Sequence, residues 1–194
     1  MTLFDAVSAR RDSNTMLVSW ISVVAGSLLM TLAAKVQVPF YPVPMSMQTF
    51  VAIGLGIALG PARGTAAVVF YLVQGAVGLP VFAGTPQHGI GIAYLAGPTG
   101  GYLVGLALIS CVAGLFARIG WDRNPVSAVI AALIAGFTVY LPGLAWLGLF
   151  TGCDATLLVA GLYPFVLSDI AKALLAALVF PAIWRWSGFG DARR

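Results

Sequence analysis

Asp169 and Lys172 lie three residues apart inside an apolar stretch long enough to cross a bilayer. Either residue at a bilayer centre costs about 2.5–3.5 kcal/mol on insertion scales. At i and i+3 the two side chains share one helix face, and Ser168 sets a hydroxyl beside them. A buried ion pair is usually no more stable than well-packed apolar residues of the same volume. Stability is therefore a poor reason to have one, and intramembrane ionisable residues mark functional sites. The alternative is a structural pair that only neutralises itself. As a site, the carboxylate accepts hydrogen bonds and the ammonium donates them. A small head group with N–H donors and a carbonyl acceptor satisfies both, and a cyclic urea has that pattern. Lys172 paired with a ligand carboxylate is the other option. Gln48, Tyr71 and Gln74 are further candidate contacts, the last two again at i and i+3. Phe82, Trp146 and Phe165 are candidates for an apolar pocket wall.

Other chemistry finds little support. The chain has no Glu, a single histidine (His88), no Gly-x-Ser-x-Gly and no intramembrane Asp pair. Protease, phosphatase and carboxylate-relay pump chemistry thus lack their residues, and no catalytic residue is expected. The cluster Gly97-Pro-Thr-Gly-Gly-Tyr102 lacks the Gly-Lys-Ser/Thr ending of a phosphate loop. Any use of ATP must come from other subunits. Cys111 and Cys153 make no metal spacing, and His88 reads as a loop residue. Neither cofactor nor metal is expected.

The elements that must position these residues are set by a shortage of charge. Of 194 residues, 60% are hydrophobic and 8% charged, and mean hydropathy is +0.99. A soluble domain carries about a quarter of its residues as charges. So few charges cannot cover a globule with a hydrated surface, which leaves a polytopic membrane protein with lipid as its solvent. The net charge of +4 then records loop topology and implies no nucleic-acid partner.

Charge-free stretches predict six transmembrane helices, at about 15–35, 46–60, 64–79, 99–118, 126–147 and 157–183. The second and third are short for a full crossing and would tilt or sit in a locally thinned bilayer. Arg10, Arg11, Arg63, Arg118, Arg123, Arg185, Arg193 and Arg194 then all fall on one side, and Lys35 stands at the other edge. The positive-inside rule makes both termini cytoplasmic. The first apolar stretch is too long for a signal-peptide core. With no internal repeat, linker or low-complexity run, residues 1–194 read as one domain, an all-α integral membrane protein of the cell membrane.

Two outer loops are unusual. The first, Gln37-Val-Pro-Phe-Tyr-Pro-Val-Pro-Met-Ser-Met-Gln48, holds three prolines that forbid helix and favour a stiff, extended backbone. Phe40, Tyr41, Met45 and Met47 make it apolar. It is either a packed interfacial loop with aromatic anchors or a lid over an outward-opening pocket. The second, from Gly78 to Gly101, is rich in glycine and proline, with Thr99 near the cap of the fourth span.

Four segments in order resemble the BioY family: the first outer loop through Thr49, Tyr71-Leu…Gly78-Leu-Pro-Val-Phe-Ala-Gly84, Gly97-Pro-Thr-Gly-Gly-Tyr102 and Asp169-Ile-Ala-Lys172. The resemblance runs from about Met30 to Ala177. BioY proteins are the biotin-specific substrate-binding (S) components of energy-coupling factor (ECF) transporters. The resemblance implies a six-helix S-component bundle that binds biotin at an outward site. It implies that Asp169 and Lys172 contact the biotin ring system, with residues 38–47 as the lid, Tyr41 among them. Lys35, Gln87 and His88 are the candidates for the valerate carboxylate. Implied partners are a transmembrane coupling subunit and two ABC-type ATPases. The small-xxx-small pairs Ser22…Gly26 and Ser27…Thr31 are the candidate contacts with them. An S component for another small vitamin or precursor is the alternative, as is a non-transporting membrane scaffold.

Overall fold

A computed structural model of the chain describes residues 15–186. Helix α1 (Thr15–Lys35) carries no polar face. Leu17, Trp20, Ile21, Leu28 and Leu32 are exposed along it, as suits a helix against lipid. The helical run Gln48–Ala76 is not one rod. At Gly60 the backbone takes φ 83° and ψ 173°, a region open essentially to glycine alone. Pro61 follows and has no N–H to continue the ladder. The chain reverses into α2 (48–59) and α3 (61–76). The Gln48 and Tyr71 side chains, 23 positions apart, therefore meet at 2.8 Å, where a straight helix would hold them about 35 Å apart.

The short α4 (Gly91–Leu95) precedes α5 (Gly100–Arg118). Helix α5 lies against the hairpin so closely that a Cβ on Gly114 would strike the backbone of Pro61. Small residues allow such approach where lipid gives helices no hydrophobic drive to associate. Then come α6 (Pro125–Phe137), α7 (Tyr140–Thr151), α8 (Ala155–Gly161) and α9 (Tyr163–Trp186). Asn124 starts α6 by accepting from Val126 N at 2.9 Å, and Asp154 starts α8 by accepting from Thr156 N at 2.9 Å.

Runs α6–α7 and α8–α9 are each long and apolar enough for one crossing. With α1, α2, α3 and α5 this makes six crossings, in the order expected from the charge-free stretches. The last two, expected as continuous helices, are each broken, and for local reasons. Thr138 Oγ1 bonds back to Ala135 O, which bends a helix, and Pro142 leaves Thr138 O to Leu141 N at 3.3 Å. Leu162 departs from helical dihedrals just before Tyr163-Pro164. There Phe165 N turns to Leu162 O, and the freed Gly161 O accepts from Tyr102 Oη at 2.8 Å.

The first outer loop is a ribbon. Strand β1 (Gln37–Val38) pairs antiparallel with β2 (Met45–Ser46), Gln37 opposite Ser46 and Val38 opposite Met45. Its tip docks on α9 through an edge-to-face contact of Phe40 with Phe165, ring centres 5.9 Å apart.

The end of the bundle with the Gly60 turn also holds Arg63, whose Nε donates to Ser19 Oγ at 3.2 Å, and the end of α5 with Arg118. Lys35 is at the opposite end, among the residues of the second outer loop. Arg10, Arg11, Arg193 and Arg194, used to orient the termini, lie outside the described residues. The Ser22…Gly26 expectation needs correction at Gly26. Gly26 is buried inside the chain, where an added Cβ would stand 2.8 Å from Ala67 Cβ, and Ser22 Oγ bonds back to Ser19 O at 2.7 Å. Gly26 therefore packs on the hairpin, while Ser22 stays half-buried.

Candidate ligand-binding site

Helix α9 places Asp169 and Lys172 on one face, with Nζ 3.1 Å from Oδ1. Their side chains keep only 15% and 11% of their surface exposed. The carboxylate also gathers two hydroxyls. Thr49, in the first turn of α2, donates to Oδ1 at 3.2 Å. Tyr140, at the α6–α7 break, donates to Oδ2 at 2.6 Å, short enough for a charge-assisted bond. Two elements besides α9's own lysine thus fix the carboxylate plane: α2 through Thr49, and α7 through Tyr140 at the break that aims it inward. A carboxylate has about four acceptor positions. Three donors leave room for one more, which a ligand N–H would use.

The pair opens on a cavity of about 60 Å³. Its lid side is Val43, Pro44, Met45 and Ser46, its apolar walls are Leu103, Leu106, Val139 and Phe165, and its polar rim includes Gln48, Thr99 and Tyr102. Gln48 is held at both ends, donating to Tyr71 Oη at 2.8 Å and accepting from Ser46 Oγ at 2.9 Å. A second cavity of about 300 Å³ lies between the proline ribbon and the second loop, with Gln37, Phe40, Tyr41, His88 and Pro98 on its walls. Pro44, Ala83, Tyr94 and Thr99 border both cavities. They therefore form an inner chamber and an outer one.

Of the sequence candidates, Asp169, Lys172, Gln48 and Phe165 come together in the inner chamber. Tyr41 and His88 reach the outer one, Tyr41 with 88% of its surface exposed. Tyr71 stands one layer behind Gln48, fully buried. Phe82 is also fully buried behind the wall, edge-on to Tyr71 and stacked on Tyr94 at 5.1 Å. Both support the wall and do not line it. Gln74 borders neither chamber, and its Oε1 is buried without a hydrogen-bond partner. Trp146 instead ties the second loop by donating to Gly97 O at 2.9 Å. Lys35 is committed elsewhere, to Pro80 O, Phe82 O, Thr85 O and Thr85 Oγ1. Tyr94 donates to Ala83 O at 2.7 Å, and burial pushes its hydroxyl pKa up, so it stays a donor.

Sequence reasoning missed Thr49 and Tyr140. Thr49 ends the first-loop motif, but a lone hydroxyl has little hydropathy signature. Tyr140 did carry a signal. Tyrosines gather at membrane interfaces, whereas this one sits mid-span, where its hydroxyl needs a partner.

A membrane bundle of six crossings, with a polar pocket at one end under a two-stranded ribbon, has the form of a membrane protein that captures a small ligand. The solved structure of "the S-component for biotin from an ECF-type ABC transporter" superposes with a TM-score of 0.79, covering 95% of this chain and all of that one at 25% identity. The BioY family model matches residues 8–189, and the chain belongs to the BioY family. The probable biotin transporter BioY of Pyrococcus horikoshii is 35% identical over 151 residues, 78% of this chain and 86% of that protein. The biotin transporter BioY of Thermotoga maritima is 35% identical over 152 residues, with the same coverage. The chain is a multi-pass protein of the cell membrane.

Proposed function

We propose that this chain is the biotin-binding S component of a vitamin uptake transporter, with the biotin head group bound in the inner chamber. The observation that carries this reading is the Asp169 carboxylate, aimed by Thr49, Tyr140 and Lys172 into a half-apolar chamber under the lid, in a chain of this family. A fused ureido ring presents two N–H donors and one carbonyl. The free acceptor position on Asp169 takes an N–H, and the Lys172 ammonium turns one of its three donors to the carbonyl. Phe165, Leu103 and Leu106 pack the apolar ring edge. The tail then passes Pro44 and Tyr94 into the outer chamber, where His88 and Tyr41 face its carboxylate. Lys35, with its ammonium occupied, and Gln87, which borders neither chamber, are set aside for that role.

The chain acts as one unit that captures ligand and has no catalytic step of its own. A transmembrane coupling subunit and ABC-type ATPases supply energy, with the termini on their side of the membrane. Isothermal titration of the purified full chain with biotin tests the reading. Sub-micromolar binding is expected, with competition by desthiobiotin weaker than by biotin. No detectable binding to protein shown to be folded would sink it. Co-purification with an ATPase and a coupling subunit tests the partners.

A further inference from the structure

The Lys35 ammonium does not face the ligand chambers. It donates to Pro80 O at 2.7 Å, Phe82 O at 3.0 Å, Thr85 O at 3.2 Å and Thr85 Oγ1 at 3.1 Å. All four acceptors are neutral, and they lie within six residues of one turn. An ammonium has three N–H donors, so four oxygens around it make a cradle of the kind that takes a small cation. What this turn carries matters more than the cradle itself. Phe82 hangs from it, filling space that exists because residue 75 is glycine; a Cβ there would collide with the Phe82 ring. Ala83, next in the chain, borders both chambers, and its carbonyl receives the Tyr94 hydroxyl. Val81 O accepts from Tyr71 Oη at 3.4 Å, and Tyr71 in turn holds Gln48. Lys35 also ends α1, with only Val36 between it and the ribbon of the first outer loop.

We propose that Lys35 is a positioning residue for ligand capture, its ammonium serving as a built-in cation that gathers the 80–85 turn and sets the Ala83–Tyr94 wall beside the lid. This rests on the biotin reading for its affinity readout and on nothing but the cradle for its structural one. Lys35 touches no ligand, so its effect runs through the turn, and any cation of the right size in the cradle must restore the wall.

The test uses the purified full chain carrying Lys35→Ala, measured with and without propylammonium at tens of millimolar, with propanol as the neutral control of the same length. Biotin affinity is expected to fall about tenfold or more, the scale of losing hydrogen bonds to a charged donor. Propylammonium recovers most of it and propanol does not. Amide hydrogen exchange in the 79–85 peptide, read without biotin, speeds up in Lys35→Ala and slows again with propylammonium. Lys35→Arg keeps the charge and retains more affinity than the neutral Lys35→Met, which also covers the case in which the alanine variant fails to fold. Wild-type affinity in Lys35→Ala or Lys35→Met overturns the proposal, and so does a loss that neither propylammonium nor arginine restores. If the unmodified chain binds no biotin, the functional reading fails, while the exchange measurement still decides the role of Lys35.

Discussion

Replacing Asp169 by Asn preserves side-chain size and removes only the charge, so its effect can be worked from the contacts. In the native chain the carboxylate accepts from Lys172 at 3.1 Å, Thr49 at 3.2 Å and Tyr140 at 2.6 Å. Asparagine offers one carbonyl oxygen and one NH₂. Whichever way it turns, one site of the former carboxylate presents donors to a donor, so at least one native contact is lost. The ligand N–H loses a charged acceptor, and a hydrogen bond to a charged group is worth about 1.5–3 kcal/mol. That corresponds to roughly a 10- to 150-fold rise in Kd. Lys172 also keeps a charge that is largely buried, and breaking a buried pair by removing one partner costs about 3–5 kcal/mol. Partial exposure of both side chains puts the stability loss here at the lower end. Calorimetric titration of Asp169→Asn with biotin, alongside a thermal melt, separates the two effects. A Kd within about twofold of the native value, in folded protein, refutes the role given to this carboxylate.

Four further outcomes are expected. Asp169→Leu with Lys172→Met should leave the melting temperature near native or raise it, because a buried pair replaced by apolar residues is often neutral to stability, while abolishing binding; retained growth of cells limited by biotin would show that the pair is only structural. Tyr140→Phe removes the 2.6 Å donor alone and should weaken binding about three- to tenfold, with no change if the hydroxyl is a bystander. Phe40→Ala takes away the ring docked on Phe165, so stopped-flow release of a fluorescent biotin analogue should accelerate several-fold with little change in association. Gly60→Ala places a Cβ at φ 83° and should destabilise the fold by about 1–3 kcal/mol, read as a lowered melting temperature without loss of ligand stoichiometry.

Which features the sequence revealed follows from how local their causes are. The reversal at Gly60-Pro61 was readable because two stretches too short to cross comfortably flank a basic residue. Asp169 and Lys172 stood out because lipid makes each charge costly on its own. The prolines of the first outer loop excluded helix, but the pairing of Gln37 with Ser46 is a register between separated residues that no local preference encodes. Thr49 and Tyr140 reach Asp169 from other helices, and only the packed bundle defines that distance. The breaks near Thr138 and Leu162 escaped because hydropathy averages over them. Gly26 misled for the opposite reason. Small residues signal close packing without saying against what, and here the neighbour is Ala67 of the same chain.

The grip of α2 and α7 on Asp169 has a consequence for how the chain is made. Synthesis runs from the N-terminus, and earlier parts fold first. Of the described spans, α8–α9 leaves the ribosome last, and it alone carries two charges to mid-membrane. By then α2 and α7 are already inserted, so Thr49 and Tyr140 await the carboxylate. The span least welcome in lipid is delivered to a bundle prepared to receive it, and its integration is a late, bundle-assisted step of biogenesis.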